Sequence, residues 1–254
     1  MFDNKVVYFV GAGPGDVKLI TVKGKELLES ADVVIYAGSL VNKRLLDYCK
    51  SNCDIYDSKS MHLGEIVDVI EKSIKSNKLV VRLHTGDPSL YGAIFEQFVE
   101  LDKRGIVYEV VPGVSSAFAA VAALKKEFTV PDISQTVIFT RFSGRTSVPE
   151  KENLEQIAKL RASLVLFLSV SYIEEIVKSL LVGYLPETPC SIVYKASWDD
   201  QKIISGNLAN IKELVKKSGI KKTALILVGD FLQPEQFAYS KLYEKDFEHE
   251  YRKK

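Results

Sequence analysis

Residues 79–83, Leu-Val-Val-Arg-Leu, form a short apolar run with a β-branched centre. The turn behind it, His84-Thr85-Gly86-Asp87-Pro88-Ser89-Leu90-Tyr91-Gly92, is dense in glycine, aspartate and proline, and a helical pattern opens at Ala93. That order predicts a buried strand, a tight loop at its carboxyl end, and a helix. The same unit recurs along the first half of the chain. Strands at Val6–Val10, Asp32–Tyr36, Asp54–Tyr56 and Val107–Val111 alternate with helical patterns over 20–30, 44–50, 66–74, 93–103 and 117–124. Such alternation implies a mainly parallel sheet covered on both faces. In open α/β sheets ligands bind outside the carboxyl ends of the strands, so the loop at 84–92 is where a small molecule is expected.

The texture changes at Lys125, where Lys-Lys-Glu-Phe-Thr-Val-Pro-Asp is polar and turn-rich. We read an N-terminal α/β domain over 1–125, a C-terminal α/β domain over 126–238, and a charged tail over 239–254, expected as a frayed helix or disordered segment. The second domain carries strands at 136–140, 164–168, 191–194, 202–205 and 224–228, with helices at 153–160, 173–181 and 208–215. The short polar link Lys195–Asp200 predicts a hairpin, hence a mixed second sheet.

With 34 basic and 33 acidic residues the net charge is +1, so no global field favours nucleic acid or membrane, and an anionic ligand needs a local cluster. No apolar run reaches transmembrane length and no signal peptide is expected. The three cysteines, Cys49, Cys53 and Cys190, are too few for a disulfide framework and lack zinc-site partners. No protein-bound metal and a cytoplasmic setting are the expectations.

A glycine-rich loop after the first strand invites a dinucleotide reading, but the spacing argues against it. Gly11, Gly13 and Gly15 give G-x-G-x-G rather than G-x-G-x-x-G, and Pro14 has no N–H for a pyrophosphate. Asp32 begins the second strand, whereas a ribose-binding acid sits at that strand's end. No Gly-Lys-Ser/Thr follows to make a P-loop. A tight turn explains the glycines, though not Pro14-Gly15-Asp16 together.

Three motifs in order complete the pattern: Gly11-Ala12-Gly13-Pro14-Gly15-Asp16 with Leu19-Ile20-Thr21; Gly86-Asp87-Pro88 with Tyr91-Gly92; and Pro112-Gly113-Val114-Ser115-Ser116. Together they resemble the tetrapyrrole methylase family, over nearly the whole chain from Val6 to about Gly229. Within it the resemblance is to methylases of C-11 of precorrin-4 and cobalt-precorrin-4 in cobalamin biosynthesis. It is carried by Tyr36–Val41, Ser60–Leu63, His84–Pro88, Gln135–Ile138, Thr140–Thr146, Leu166–Ser169 and Val193–Ala196. Gly64 departs from the acidic residue often found there, and Glu65 follows it.

The resemblance implies S-adenosylmethionine bound in a cleft between two α/β domains, S-adenosylhomocysteine as product, a tetrapyrrole substrate and a homodimer. It implies cofactor contacts from Pro14, Thr85, Gly86, Asp87, Leu90, Ser115 and Ser116 in the first domain. From the second it implies Phe167, Leu168, Tyr194, Lys195, Ala196, Thr223, Ala224 and Leu225. Met61, His62, Arg141 and Arg145 become substrate-binding candidates, the arginines through bidentate pairing with carboxylates; a solvated loop is the alternative for both. Direct methyl transfer needs alignment above all. His62 and His84, with Asp16 behind them, are candidates for a base, and a hydrogen-bonded structural role stays open for each. A methylase of another precorrin carbon, one acting on protein or RNA, and a non-catalytic ligand-binding relative are the competing readings.

Overall fold

The computed structural model describes residues 2–38, 40–144, 146–235, 237–243, 247–248 and 250–252. The chain divides into two compact units, Met1–Ala119 with Lys195–Asp200, and Ala120–Tyr194 with Gln201–Lys254. The division falls between Ala119 and Ala120, earlier than the polar stretch after Lys125, and the loop 195–200 counts with the first unit.

In the first unit, strands β1 (Val6–Gly11), β2 (Val33–Tyr36), β3 (Asp54–Asp57), β4 (Val80–His84) and β5 (Val107–Val111) form one sheet in the order β3-β2-β4-β1-β5. Every pairing in it is parallel. Helices α1 (Val22–Ser30), α2 (Leu63–Lys75) and α3 (Phe95–Lys103) alternate with the strands, and α4 (Ser116–Ala123) follows β5 and runs through the division. The two-residue strand period divides the apolar side chains between two cores. Tyr8, Val10, Val34, Tyr36, Val81 and Leu83 pack with Leu27 and Leu28 of α1 and with Leu45. Val7, Phe9, Val33, Ile35 and Val80 pack with Ile66, Val67 and Ile70 of α2 and Leu101 of α3. Burial on both faces is why these strands read as unbroken apolar runs.

Helix ends follow local chemistry. Thr21 accepts a hydrogen bond from the Gly24 N–H at the start of α1. Helix α3 begins at Phe95 rather than at Ala93, because Ala93 has a φ of +49° and cannot open a right-handed helix. Residues Lys43–Tyr48, expected as a short α-helix, form a 3-10 helix instead.

The second unit holds β6 (Val137–Arg141), β7 (Ser163–Phe167), β8 (Pro189–Tyr194), β9 (Lys202–Asn207) and β10 (Ala224–Val228), in the order β6-β7-β10-β8-β9. β6 and β7 are parallel and the remaining pairs antiparallel, so the sheet is mixed, with the β8–β9 hairpin expected from the sequence. Helices α5 (Leu154–Ala158), α6 (Ile173–Leu180) and α7 (Ile211–Ser218) share a core with Leu164, Leu166, Ile192, Ile226 and Val228. Helix α5 is shorter than its sequence pattern and is followed by Arg161 at a φ of +50°. Helix α7 starts at Ile211 rather than Leu208, because Asn207 and Asn210 exchange side chain–backbone bonds of 3.0 and 3.2 Å that close a turn first.

Of the charged tail, Lys241–Tyr243 forms a 3-10 turn, and residues 244–246, 249, 253 and 254 lie outside the described residues. No helix among the described residues is long and apolar enough to cross a membrane.

Candidate active site

Three loops meet at the carboxyl ends of β1, β4 and β5 in the first unit. Gly13 and Gly86 exchange backbone hydrogen bonds, Gly13 N–H to the Gly86 carbonyl at 3.2 Å and the reverse at 2.9 Å, and the Ala12 N–H reaches the His84 carbonyl at 2.7 Å. Gly113 joins them from behind β5. A Cβ placed on it would stand 2.2 Å from the Gly86 carbonyl oxygen and 2.7 Å from Gly11 Cα. Glycine is needed here for close backbone approach, and at Gly13 and Gly86 for left-handed φ values of +74° and +61°. Gly11 and Gly13 therefore knit loops together, and their spacing answers to that packing rather than to a pyrophosphate.

Asp87 ties the second loop to the third. One carboxylate oxygen accepts from Ser89, N–H at 2.9 Å and hydroxyl as well, and the other accepts the Gly113 N–H at 2.9 Å. Partial burial pushes this carboxyl up, but the bonds from Ser89 and Gly113 outweigh it and hold the pKa below the usual aspartate value. Ser115 is buried and its hydroxyl accepts from the Ala117 N–H at 3.3 Å, while Ser116 opens α4. Pro14 is buried, Leu90 half-buried, and the Thr85 hydroxyl donates to the Leu40 carbonyl at 3.4 Å. Beyond Leu90, Tyr91 and Ala93 hold φ values of +56° and +49°. Such strain persists where the surroundings over-determine it, and it concentrates at functional loops.

Within the second unit, the candidates sit at one end of its sheet. Leu168 follows β7 and Thr223 precedes the antiparallel β10, and both are left-handed, with φ values of 55° and 57°. Lys195, which follows β8 but counts with the first unit, has a φ of 47°. Phe167, Ala224 and Leu225 are buried, and Leu168 is 66% exposed. A bulky apolar side chain held outward by strained backbone is available for contact with a ligand.

The two histidines have different fates. His62 is the N-cap of α2 in a capping box: its Nδ1 accepts the Glu65 N–H at 3.3 Å, and a Glu65 oxygen accepts the His62 N–H at 2.9 Å. His84 is buried at the end of β4, stacked on Phe9 at 5.8 Å, and its Nε2 has no hydrogen-bond partner. Burial, and then the neighbouring Arg82 charge, pushes its pKa down to about 3, so it is a neutral imidazole near pH 7. Arg82 is itself buried. It donates to the Gln97 side chain at 3.0 Å and to the Ile35 carbonyl at 3.1 Å, and burial lowers its pKa to about 10.

Arg141, read in the sequence as part of an exposed loop, closes strand β6 and is half-buried. Its guanidinium donates to the Thr146 carbonyl and hydroxyl, both at 2.9 Å, and to the Ser147 carbonyl at 2.6 Å, so the fork grips its own loop. Arg145 lies outside the described residues. Met61 packs against the core beneath α2. Sequence reasoning missed Asn42, whose side-chain amide donates to the Gly15 carbonyl at 2.8 Å, and it missed Ser197 and Trp198, which hold the same loop. Their distance along the chain left no local signal; the lone tryptophan, in a short hairpin link, was the one available clue.

The sequence profile of the Tetrapyrrole (Corrin/Porphyrin) Methylases matches residues 6–212. A cobalt-precorrin-4 C(11)-methyltransferase from Methanocaldococcus jannaschii is 60% identical over 254 residues, covering all of this chain and 98% of the relative. The X-ray structure of a cobalt-precorrin-4 methyltransferase, a cobalamin biosynthetic enzyme, superposes with a TM-score of 0.89 at 45% identity, covering 91% of this chain and 97% of that one. A uroporphyrin-III C-methyltransferase from Thermus thermophilus, solved with S-adenosylhomocysteine, superposes with a TM-score of 0.75 at 29% identity, covering 90% and 93%. With the three motif loops joined at adjacent strand ends and a match that spans most of its length, the chain belongs to the tetrapyrrole methylase family.

Proposed function

We propose that this protein is an S-adenosylmethionine-dependent C-methyltransferase that methylates C-11 of precorrin-4 or cobalt-precorrin-4, giving the corresponding precorrin-5, in cobalamin biosynthesis. The observation that carries the reading is the joining of the three glycine loops at the carboxyl ends of β1, β4 and β5, in a chain 60% identical to a C-11 methylase. When bound, S-adenosylmethionine supplies a sulfonium methyl group open to in-line attack by a nucleophilic carbon.

Pro14, Thr85, Gly86, Leu90, Ser115 and Ser116 are the cofactor contacts of the first unit, and Asp87 shapes their loops, since one of its oxygens is engaged by Ser89 and the other by Gly113. For the second unit, the strained backbone at Leu168 and Thr223 supports a ligand-contacting role, and Phe167, Tyr194, Ala224 and Leu225 adjoin them in sequence or register. Lys195 and Ala196 follow Tyr194. Met61, His62 and Arg145 are the substrate-side residues. Arg141 holds the loop that carries Arg145, through its bonds to Thr146 and Ser147. With His62 engaged as a helix cap and His84 enclosed, the chain's contribution is alignment, which alone is worth several orders of magnitude in rate.

The test offers labelled S-adenosylmethionine with precorrin-4 and with cobalt-precorrin-4, and locates the new methyl group by NMR. Label at C-11 of either substrate is the expected result, and the better substrate decides the metal question. Label at another ring carbon overturns the regiospecificity. Cofactor binding without transfer would leave a non-catalytic relative, and no binding would end the cofactor assignment.

We also propose a cytoplasmic homodimer. All three cysteines are free thiols, as a reducing compartment favours. Phe95 and Val99 lie one turn apart on α3, beside the edge strand β5, whose Val110 is exposed on the same face of the sheet. An apolar patch next to an unpaired strand edge is a surface that a second copy would cover. Light scattering is expected to give twice the 28.4 kDa chain mass at micromolar concentration, and the single-chain mass would refute the dimer.

A further inference from the structure

We infer that Trp198 and Ser197 are positioning residues that lock the Pro14 loop in its ligand-ready shape, and that Trp198 reports occupancy of that loop. The inference rests on the reading above that Pro14 flanks S-adenosylmethionine. The indole Nε1–H donates to the Pro14 carbonyl at 2.9 Å, and the Asp16 N–H donates to the Ser197 hydroxyl at 3.0 Å, across more than 180 residues of chain. The indole also covers Gly15: a Cβ there would stand 2.1 Å from Trp198 Cδ1 and 2.2 Å from Nε1. With Gly86 on the Gly13 carbonyl at 2.9 Å and Asn42 on the Gly15 carbonyl at 2.8 Å, each carbonyl from Gly13 to Gly15 has a protein donor.

That full occupancy leaves Gly13–Asp16 a single shape. Pro14 brings a fixed φ and no N–H, whereas the flanking glycines would otherwise allow many conformations. The freedom is removed from outside, by the loop 195–200 together with Gly86 and Asn42. This loop is itself tightly held. Lys195 pairs with Asp200 at 2.6 Å and lies 5.3 Å from the centre of the indole, and the Trp198 N–H donates to the Lys195 carbonyl at 3.0 Å. Lys195 and Ser197 both take left-handed φ values, 47° and 69°. Trp198 is half-buried, and its indole bonds the Pro14 carbonyl and covers Gly15, so its fixed place serves the Pro14 loop.

The chain has one tryptophan, so its emission belongs to Trp198 alone. The experiment titrates the intact protein with S-adenosylhomocysteine, following heat by calorimetry and tryptophan emission in parallel. It then compares Trp198→Phe, Trp198→His and Ser197→Ala in binding and in steady-state kinetics. Saturation is expected to shift the Trp198 emission and reduce its quenching by acrylamide. Trp198→Phe, which loses the N–H donor, is expected to weaken S-adenosylhomocysteine binding and raise KM for S-adenosylmethionine by about tenfold, the scale of one lost buried hydrogen bond. Its kcat should fall less than KM rises, and KM for the tetrapyrrole should stay put. Trp198→His, which keeps a ring N–H, should recover part of the affinity, and Ser197→Ala should show a smaller loss of the same kind. Wild-type binding heat with unchanged emission, or Trp198→Phe binding as tightly as wild type, overturns the inference and leaves the cofactor assignment standing. No binding heat from the wild-type protein overturns the assignment itself.

Discussion

Gly113→Ala is expected to destabilise the protein by about 3 kcal/mol, the upper end of ordinary overpacking, and to lower its melting temperature by roughly 6–12 °C. The new methyl group would stand 2.2 Å from the Gly86 carbonyl oxygen, 2.7 Å from Gly11 Cα and 2.9 Å from Gly11 carbonyl carbon. All three are backbone atoms, so no side chain can swing aside. Relief requires the third loop to lift away from the other two. That movement strains the Gly113 N–H bond to Asp87 and, through Asp87, the loop that carries Thr85, Gly86 and Leu90. Affinity for S-adenosylhomocysteine should therefore fall at least tenfold along with the melting temperature. Gly105→Ala is the control. Gly105 has a φ of +64° but nothing within 4 Å of a Cβ, so it meets backbone strain of about 1 kcal/mol and no clash. Its melting temperature should drop by only about 2–4 °C with cofactor affinity unchanged. A Gly113→Ala protein that melts and binds like wild type would mean the three loops do not touch as described.

The same glycines show which parts of the molecule the sequence exposes. Strand–loop–helix order, the two-faced burial of β1, β2 and β4, and the hairpin of the second sheet are written in local patterns of two and 3.6 residues. Such patterns are legible because each answers to packing along one element. Gly11, Gly86 and Gly113 were visible as motifs, but their shared reason, mutual backbone contact, is a property of three strands side by side. Arg141 reads as part of an exposed loop because the residues after it are polar, while its actual partners, the Thr146 and Ser147 carbonyls, are backbone groups with no signature in composition. Ala93 fitted the helical period yet sits in left-handed backbone, because period reports which face is apolar and not where the first turn closes. Trp198 and Asn42 were unmarked for a related reason: each donates to a backbone carbonyl of a loop remote in sequence.

His84 makes the protein acid-labile above the range where carboxylates titrate. Its imidazole is held at a pKa of about 3 in the folded chain against an ordinary 6.5. Below pH 6.5 the unfolded chain takes up a proton there and the folded chain does not. Stability tracks the difference in bound protons, so it is full above 6.5, falls as the pH drops, and stops falling near 3. Between pH 7 and 5 the loss is about 2 kcal/mol, at roughly 1.4 kcal/mol per unit below 6.5. Asp32, Asp57, Glu71 and Asp87, all held below their usual range, add their own acid sensitivity only at lower pH. His84→Phe removes this contribution at small cost at pH 7, because Nε2 has no partner to lose and the new ring faces Phe9. Urea unfolding at pH 7, 6 and 5 should show wild type and variant equal at pH 7 and the variant ahead by about 2 kcal/mol at pH 5. Parallel profiles would refute the buried, neutral state. The same variant separates structure from chemistry: a general base is worth about 10²–10⁴ in rate. His84→Phe should keep turnover within about tenfold of wild type at neutral pH, below that range. A loss of a hundredfold or more in a protein that still binds S-adenosylhomocysteine would move His84 from a buried structural role into the reaction.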